Sequence, residues 1–287
     1  MKFETMKTQE KVWYITGASK GLGLSLVKQL LDAGHKVAAT SRNLADLEKA
    51  VGTDQPNFLP LTVDLTSETS VKLSIDATID AFGQVDVVVN NAGYGLLGSL
   101  EELSDQESRE NFEVNVFGTL NVIRNVMPQL RKQQSGHIFN IASIGGFYGA
   151  FPGFGIYCAT KFAVVGLSES LSAEVKPFGI NVTVVQPGYF RTNFLSSGSL
   201  SIPVNPMEAY AEVRETQQAH QEAINGNQPG DPEKAVASMI TLSNAENPPL
   251  HLFLGKDAYD MADKKMLAVQ NDMDKWEQLA TATGFDK

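Results

Sequence analysis

Short apolar runs alternate with longer segments of helical period along most of the chain, and this alternation limits the fold more than any other feature. Residues 11–16 (KVWYIT), 36–41 (KVAATS), 57–63 (NFLPLTV), 85–90 (VDVVVN), 137–142 (HIFNIA), 180–185 (INVTVV) and 250–255 (LHLFLG) read as strands. Between them lie amphipathic stretches such as GLSLVKQLLDAG, NLADLEKAV and SETSVKLSIDATIDAFG. A connection between parallel strands has to pass over the sheet, so the alternation predicts an α/β fold. The sheet is then parallel and doubly wound, with about seven strands and helices on both faces. Pro60 cannot donate to a central ladder, which puts the third strand at or near an edge, as in the strand order 3-2-1-4-5-6.

The bulk properties narrow the possibilities further. No Pro/Ser-rich linker, charge block, low-complexity tract or fixed-period repeat divides the 287 residues, so one domain is expected over residues 1–287. No apolar run approaches the roughly 20 residues of a membrane span. The opening MKFETMKTQEK has no apolar signal region, which points to the cytoplasm. Cys158, the single cysteine, excludes an internal disulfide and reads as a small packed helix residue. His35, His137, His220 and His251 are scattered with no metal-binding spacing, so no metal site is expected. A formal charge of −10 without a basic stripe disfavours a nucleic acid partner.

Chemistry concentrates in a few motifs. A glycine turn, TGASKGLG, follows the first strand at residues 16–23. Gly17, Gly21 and Gly23 let a backbone approach a pyrophosphate, and the following helix start supplies free N–H groups and a positive dipole end. Glycine also serves plain turns, and the spacing departs from the common GxGxxG dinucleotide fingerprint. Tyr157 and Lys161 stand four residues apart in GIYCATKFAVVGL, with Ser143 upstream in FNIASIGG. If the stretch from Tyr157 is helical, the phenol and the ammonium share a face, and the cation would lower the Tyr pKa towards working pH. Taken singly, Ser143 reads more readily as a strand-end cap, Asn115 as an ordinary polar helix residue and Lys161 as a solvated surface charge.

Jointly, the motifs resemble those of the short-chain dehydrogenase/reductase family over about residues 10–255. The resemblance rests on the GxxxGxG turn, on Asn90-Asn91-Ala92-Gly93, on Asn115 in ENFEVNVFGTL, on Ser143 with the YxxxK pair Tyr157 and Lys161, and on Pro187-Gly188-Tyr-Phe-Arg-Thr192. It implies a Rossmann-type fold and a reversible, nicotinamide-dependent reduction of a ketone or aldehyde. Tyr157 would supply the proton, Ser143 would hold the same oxygen, and Lys161 would act on Tyr157 and bond the nicotinamide ribose. Asn115 would hold a water that links Lys161 to solvent. The cofactor residues implied are Gly17, Ser19, Lys20, Gly21, Leu22 and Gly23 in the turn, then Ser41, Arg42, Asp64 and Leu65 at the ends of the second and third strands. Asn91, Ala92 and Gly93, with Tyr157, Lys161, Pro187, Gly188 and Thr192, complete the set.

The end of the second strand bears on the choice of cofactor. It reads Ser41-Arg42 with no carboxylate for a free ribose 2′-hydroxyl, and Lys20 adds a second cation, so NADP(H) is expected. The segment 190–230, broken by Pro203, Pro206 and Pro229 with Pro232 just beyond, and with a helix expected from Met207 to Ile224, reads as a substrate loop or lid. Residues 256–287 are expected to form an amphipathic C-terminal helical extension. Leu96, Leu97, Phe147, Tyr148, Phe151, Phe154, Tyr189, Phe190 and Phe194 divide between core and an apolar or aromatic substrate pocket. The expected partners are a small carbonyl or alcohol substrate and, as the family implies, further copies in a dimer or tetramer. A 3-oxoacyl-type reductase of lipid metabolism and a non-catalytic NADP-binding regulator are the alternatives.

Overall fold

The computed structural model describes residues 10–52, 55–196 and 198–285; the expected domain ends at 1–9 and 286–287 lie outside them. In chain order the elements are β1 Val12–Ile15, α1 Gly21–Asp32, β2 Lys36–Ser41, α2 Leu44–Val51, β3 Phe58–Thr62 and α3 Glu68–Phe82. They continue with β4 Val87–Asn90, β5 Gly95–Leu96, α4 Asp105–Phe112, α5 Gly118–Gln133, β6 Gly136–Ile141 and α6 Gly155–Val175. The last are β7 Ile180–Pro187, β8 Leu200–Ser201, α7 Ala211–Gln218, α8 Pro232–Leu242, β9 His251–Leu254 and α9 Lys256–Thr281.

Seven strands pair in parallel in the order β3-β2-β1-β4-β6-β7-β9. The chain therefore folds as the doubly wound sheet that the alternation predicts. β3 is the outer strand, so Pro60, opposite Ala39, can turn its donorless nitrogen away from the ladder. Successive side chains of a strand point to opposite faces, and β1 divides accordingly. Trp13 and Ile15 join one core with Leu26 and Leu30 of α1 and Val236 of α8, whereas Tyr14 joins the other with Ile75 of α3 and Val126 of α5. Both faces are apolar, so each is covered by helices. The order reverses at β1 and β4, and in open α/β sheets that reversal opens a crevice beyond the carboxyl ends of the strands.

Two features differ from the sequence expectation. The helix placed at 207–224 starts only at Ala211 and widens over Ala219–Ile224. Met207 is held outside it because its N–H donates to the Glu102 carboxylate at 2.8 Å. A second sheet, β5 paired with β8, joins Gly95 to Leu200 and Leu96 to Ser201 and so ties the 190–230 segment to the chain after β4.

Of the expected C-terminal helical extension, Lys256–Thr281 form α9. Ala258 and Ala262 of α9 are buried in a cluster with Ile144, beside Phe147 and Tyr148. Further along, Met266, Val269, Met273 and Trp276 are exposed. No helix among the described residues is long and apolar enough to cross a membrane.

Candidate active site

All but two of the twenty expected site residues line one cavity of about 600 Å³ at the crevice. The exceptions, Gly23 and Asn115, lie just behind its wall. Gly17 has φ +65°, and a Cβ there would come within 2.7 Å of Ala92 Cα. A Cβ on Gly23 would meet the Asn91 amide nitrogen and the Gly17 carbonyl, both at 2.6 Å. These two glycines thus let residues 16–23 mesh with residues 91–92. Asn91 Nδ2 seals the contact by donating to the Thr16 and Gly17 carbonyls at 3.0 and 2.9 Å. Gly21, at φ +58°, has more open space and is fixed by backbone conformation instead.

At the start of α1, Lys20 is extended and makes no side-chain capping bond. The first-turn N–H groups are thus not taken by a side-chain cap, and Gly21 and Leu22 line the cavity there, an arrangement that suits a pyrophosphate. Ser41, Arg42, Asp64 and Leu65 lie at the neighbouring strand ends, along the same cavity. Arg42 forms no ion pair among the described residues. Lys20 differs from expectation. It lines the cavity, but its ammonium donates to the Gly198 carbonyl at 3.0 Å, so it is engaged with the 190–230 segment instead of standing free beside Arg42.

α6 carries Tyr157 and Lys161 on one helix, as their spacing predicts. Ser143 follows β6 in extended conformation, its hydroxyl accepting from Gly145 N at 3.1 Å, and it lines the same cavity as Tyr157. Burial pushes the Tyr157 phenol well above its ordinary value, and the nearby Ser143 hydroxyl only partly opposes this. The Lys161 ammonium lies 5.8 Å from the ring centroid and donates to the Ile141 carbonyl at 2.9 Å, while Phe154, Phe194 and Cys158 enclose the ring. Burial also lowers Lys161 from 10.5 to about 8.

Asn115 sits in a widened helical turn, Glu113–Phe117, between α4 and α5, a distortion that recurs at functional sites. Its side chain is fully engaged. Oδ1 accepts from Tyr94 N at 3.0 Å, and Nδ2 donates to the Tyr94 carbonyl at 3.0 Å and to Thr160 Oγ1 at 3.1 Å. Thr160 in turn donates to the Tyr157 carbonyl at 2.7 Å, so Asn115 braces the turn that presents Tyr157 and Lys161.

The expected pocket aromatics divide. Phe151, Phe154, Tyr189, Phe190 and Phe194 line the cavity, whereas Leu96 and Leu97 are core and Phe147 and Tyr148 pack towards α9. Cys158 is packed, as expected, although it touches the cavity, and burial pushes its thiol up to about 11.

Several supports are missing from the sequence reading. Asp257, at the start of α9, accepts from Tyr189 N at 2.7 Å and fills the space over Gly188, where no Cβ would fit. Buried Glu102 accepts from Ser99 N and Met207 N and takes Arg214 in a forked pair at 2.8 Å. Burial opposes its charge, but these bonds hold its carboxyl below the usual value and fix α7 against the chain after β5. His220, which the sequence left without a role, lines the cavity and bonds Tyr189.

Comparison with known proteins agrees with this geometry. The family model described as short chain dehydrogenase matches residues 11–200. Oxidoreductase BOA17 of Botryotinia fuckeliana is 34% identical over 274 residues, covering 95% of this chain and 99% of that protein. The 3-ketodihydrosphingosine reductase of Bacteroides thetaiotaomicron is 37% identical over 249 residues, covering 86% and 88%. A short-chain dehydrogenase structure from Streptomyces avermitilis superposes with TM-score 0.88 at 37% identity, covering 96% of this chain and 100% of that one. Two structures at 25% identity hold different cofactors. A 3-ketoacyl-(acyl-carrier-protein) reductase from Brucella melitensis is complexed with NADH (TM-score 0.73, covering 86% and 97%). A Burkholderia cenocepacia enzyme is in complex with NADP (TM-score 0.72, covering 94% and 98%). The meshed glycine turn, the Ser143, Tyr157 and Lys161 cluster and the seven-stranded sheet thus coincide with extended similarity in sequence and structure, and the chain belongs to the short-chain dehydrogenase family of oxidoreductases.

Proposed function

We propose that the chain is an NADPH-dependent reductase of a ketone or aldehyde on a largely apolar body. The observation that carries this reading is one continuous cavity. It has the α1 N-terminus and Arg42 at one end, the Ser143 and Tyr157 hydroxyls within it, and an aromatic wall of Phe151, Phe154 and Phe194 at the other end. The residues fit a dinucleotide. The 17–23 turn would take the pyrophosphate, Arg42 a 2′-phosphate, Asp64 and Leu65 the adenine side, and Pro187 to Thr192 the nicotinamide end. When bound, the nicotinamide supplies the hydride.

The chain's own residues do the rest. The Ser143 hydroxyl donates to the carbonyl oxygen and stabilises the developing alkoxide, and Tyr157 passes its proton to the same oxygen. Lys161 holds positive charge beside Tyr157, and Asn115 keeps both in place. The name of the Bacteroides relative, a ketone reductase, supports this chemistry. A 3-oxoacyl reductase reading is weaker, because a chain at −10 offers little basic surface for an acidic carrier protein. A non-catalytic role leaves the joint presence of Ser143, Tyr157 and Lys161 unexplained. A panel of apolar ketones and aldehydes, followed by loss of NADPH absorbance, should show turnover. Consumption of neither NADPH nor NADH across the panel would remove the reading.

The reading extends to a homo-oligomer. Met266, Val269, Met273 and Trp276 recur at spacings of three and four on α9, the period of a helix-to-helix seam, and continue the face that buries Ala262. A second copy presenting the same stripe would cover it, and sedimentation at micromolar concentration should show a dimer or larger. A monomer would count against it.

A further inference from the structure

The 190–230 segment adds a second polar feature to the aromatic end of the cavity. His220 Nδ1 lies 2.8 Å from the Thr216 carbonyl oxygen, and its Nε2 lies 2.9 Å from the Tyr189 hydroxyl. A carbonyl oxygen can only accept, so Nδ1 carries the ring hydrogen. Burial holds the imidazole below its ordinary pKa, which keeps it neutral near pH 7 and leaves a lone pair on Nε2. Tyr189 has one hydroxyl hydrogen and gives it to that lone pair. Its oxygen is left with acceptor capacity alone, in a cavity shared with Tyr157, Phe154 and Phe194.

A second observation points the same way. Gln228 lines the same cavity at 2% exposure, and neither atom of its side-chain amide has a protein partner. Its stretch is fastened beside Tyr189, because Gly230 N donates to the Tyr189 carbonyl at 2.9 Å. Buried polar groups are normally paired, so this end of an otherwise aromatic wall is built for something polar.

We propose that Tyr189, held as a pure acceptor by His220, reads an O–H or N–H group on the substrate, so that the substrate class is an apolar ketone or aldehyde carrying such a donor near its reacting carbonyl. This rests on the carbonyl reductase reading above. A site built to bond a donor rejects the analogue that lacks it.

The test compares 1-hydroxyoctan-2-one with octan-2-one in the wild type and in Tyr189→Phe, with NADPH. The ratio of kcat/KM for the hydroxy ketone over the plain ketone should fall by about tenfold in the variant, the size of one neutral hydrogen bond. Taking the ratio cancels the intrinsic reactivity of the two ketones and any general loosening of the wall. An unchanged ratio, with both substrates still turned over or both slowed alike, would mean that the Tyr189–His220 bond only latches α7 to the site, and would overturn the proposal alone. Turnover of neither ketone by the wild type would overturn both this proposal and the reductase reading.

Discussion

Tyr157→Phe is expected to lower turnover by at least about a hundredfold, the usual loss when a general acid is removed, while cofactor affinity stays near wild type. The substitution removes one oxygen and keeps the ring, which packs with Phe154, Phe194 and Cys158. Ser143 keeps its contact to Gly145 N, so the shape of the cavity should persist. Burial places the phenol above its ordinary pKa, so it enters the reaction protonated across the neutral range. An alkoxide is a far stronger base than a phenolate, so the proton transfer remains downhill. Steady-state rates paired with a fluorescence titration of the reduced cofactor would check this. Turnover close to wild type would remove Tyr157 from the chemistry, and a parallel loss of cofactor affinity would mean that its hydroxyl serves binding instead.

The main sheet is legible in the sequence because a parallel strand buried on both faces is largely apolar, as in VVVN of β4 and INVTVVQP of β7. The two-residue strands β5 and β8 have no period to read, and so the anchoring of the 190–230 segment to the chain after β4 stayed hidden. The glycine turn was legible as a turn, but half of its explanation lies elsewhere. Gly17 and Gly23 answer to Ala92 and Asn91, more than sixty residues away along the chain. Asp257 and Glu102 were invisible for the same reason, since nothing local marks a carboxylate that will hold the Tyr189 or Met207 amide. Spacing did put Tyr157 and Lys161 on one helix face, yet the acidity of Tyr157 follows from its enclosure by Phe154, Phe194 and Cys158. Enclosure is a tertiary property. His220 shows the same limit, because only the fold sets Thr216 against one ring nitrogen and Tyr189 against the other.

Cofactor preference is where one or two substitutions should have the second largest effect. Ser41 ends β2 and Arg42 follows it at the cavity edge, Ser41 accepting from Asn43 N at 3.2 Å and Arg42 exposed without an acidic partner among the described residues. A 2′-phosphate there gains a charge-assisted bond of roughly 1.5–3 kcal/mol from the guanidinium, and solvent screening at an exposed site favours the lower end. Arg42→Ala should therefore weaken NADPH binding by about tenfold or somewhat more while NADH is nearly unchanged. Lys20 compensates little if its ammonium stays with the Gly198 carbonyl. Adding Ser41→Asp should go further and invert the preference, because a carboxylate repels the phosphate and offers an acceptor to the free 2′-hydroxyl. Titration of both cofactors against the wild type and the two variants measures each step. A wild type that binds NADH as tightly as NADPH, or an Arg42→Ala variant that weakens both equally, would reduce Arg42 to a surface charge and leave the choice of cofactor to residues elsewhere along the cavity.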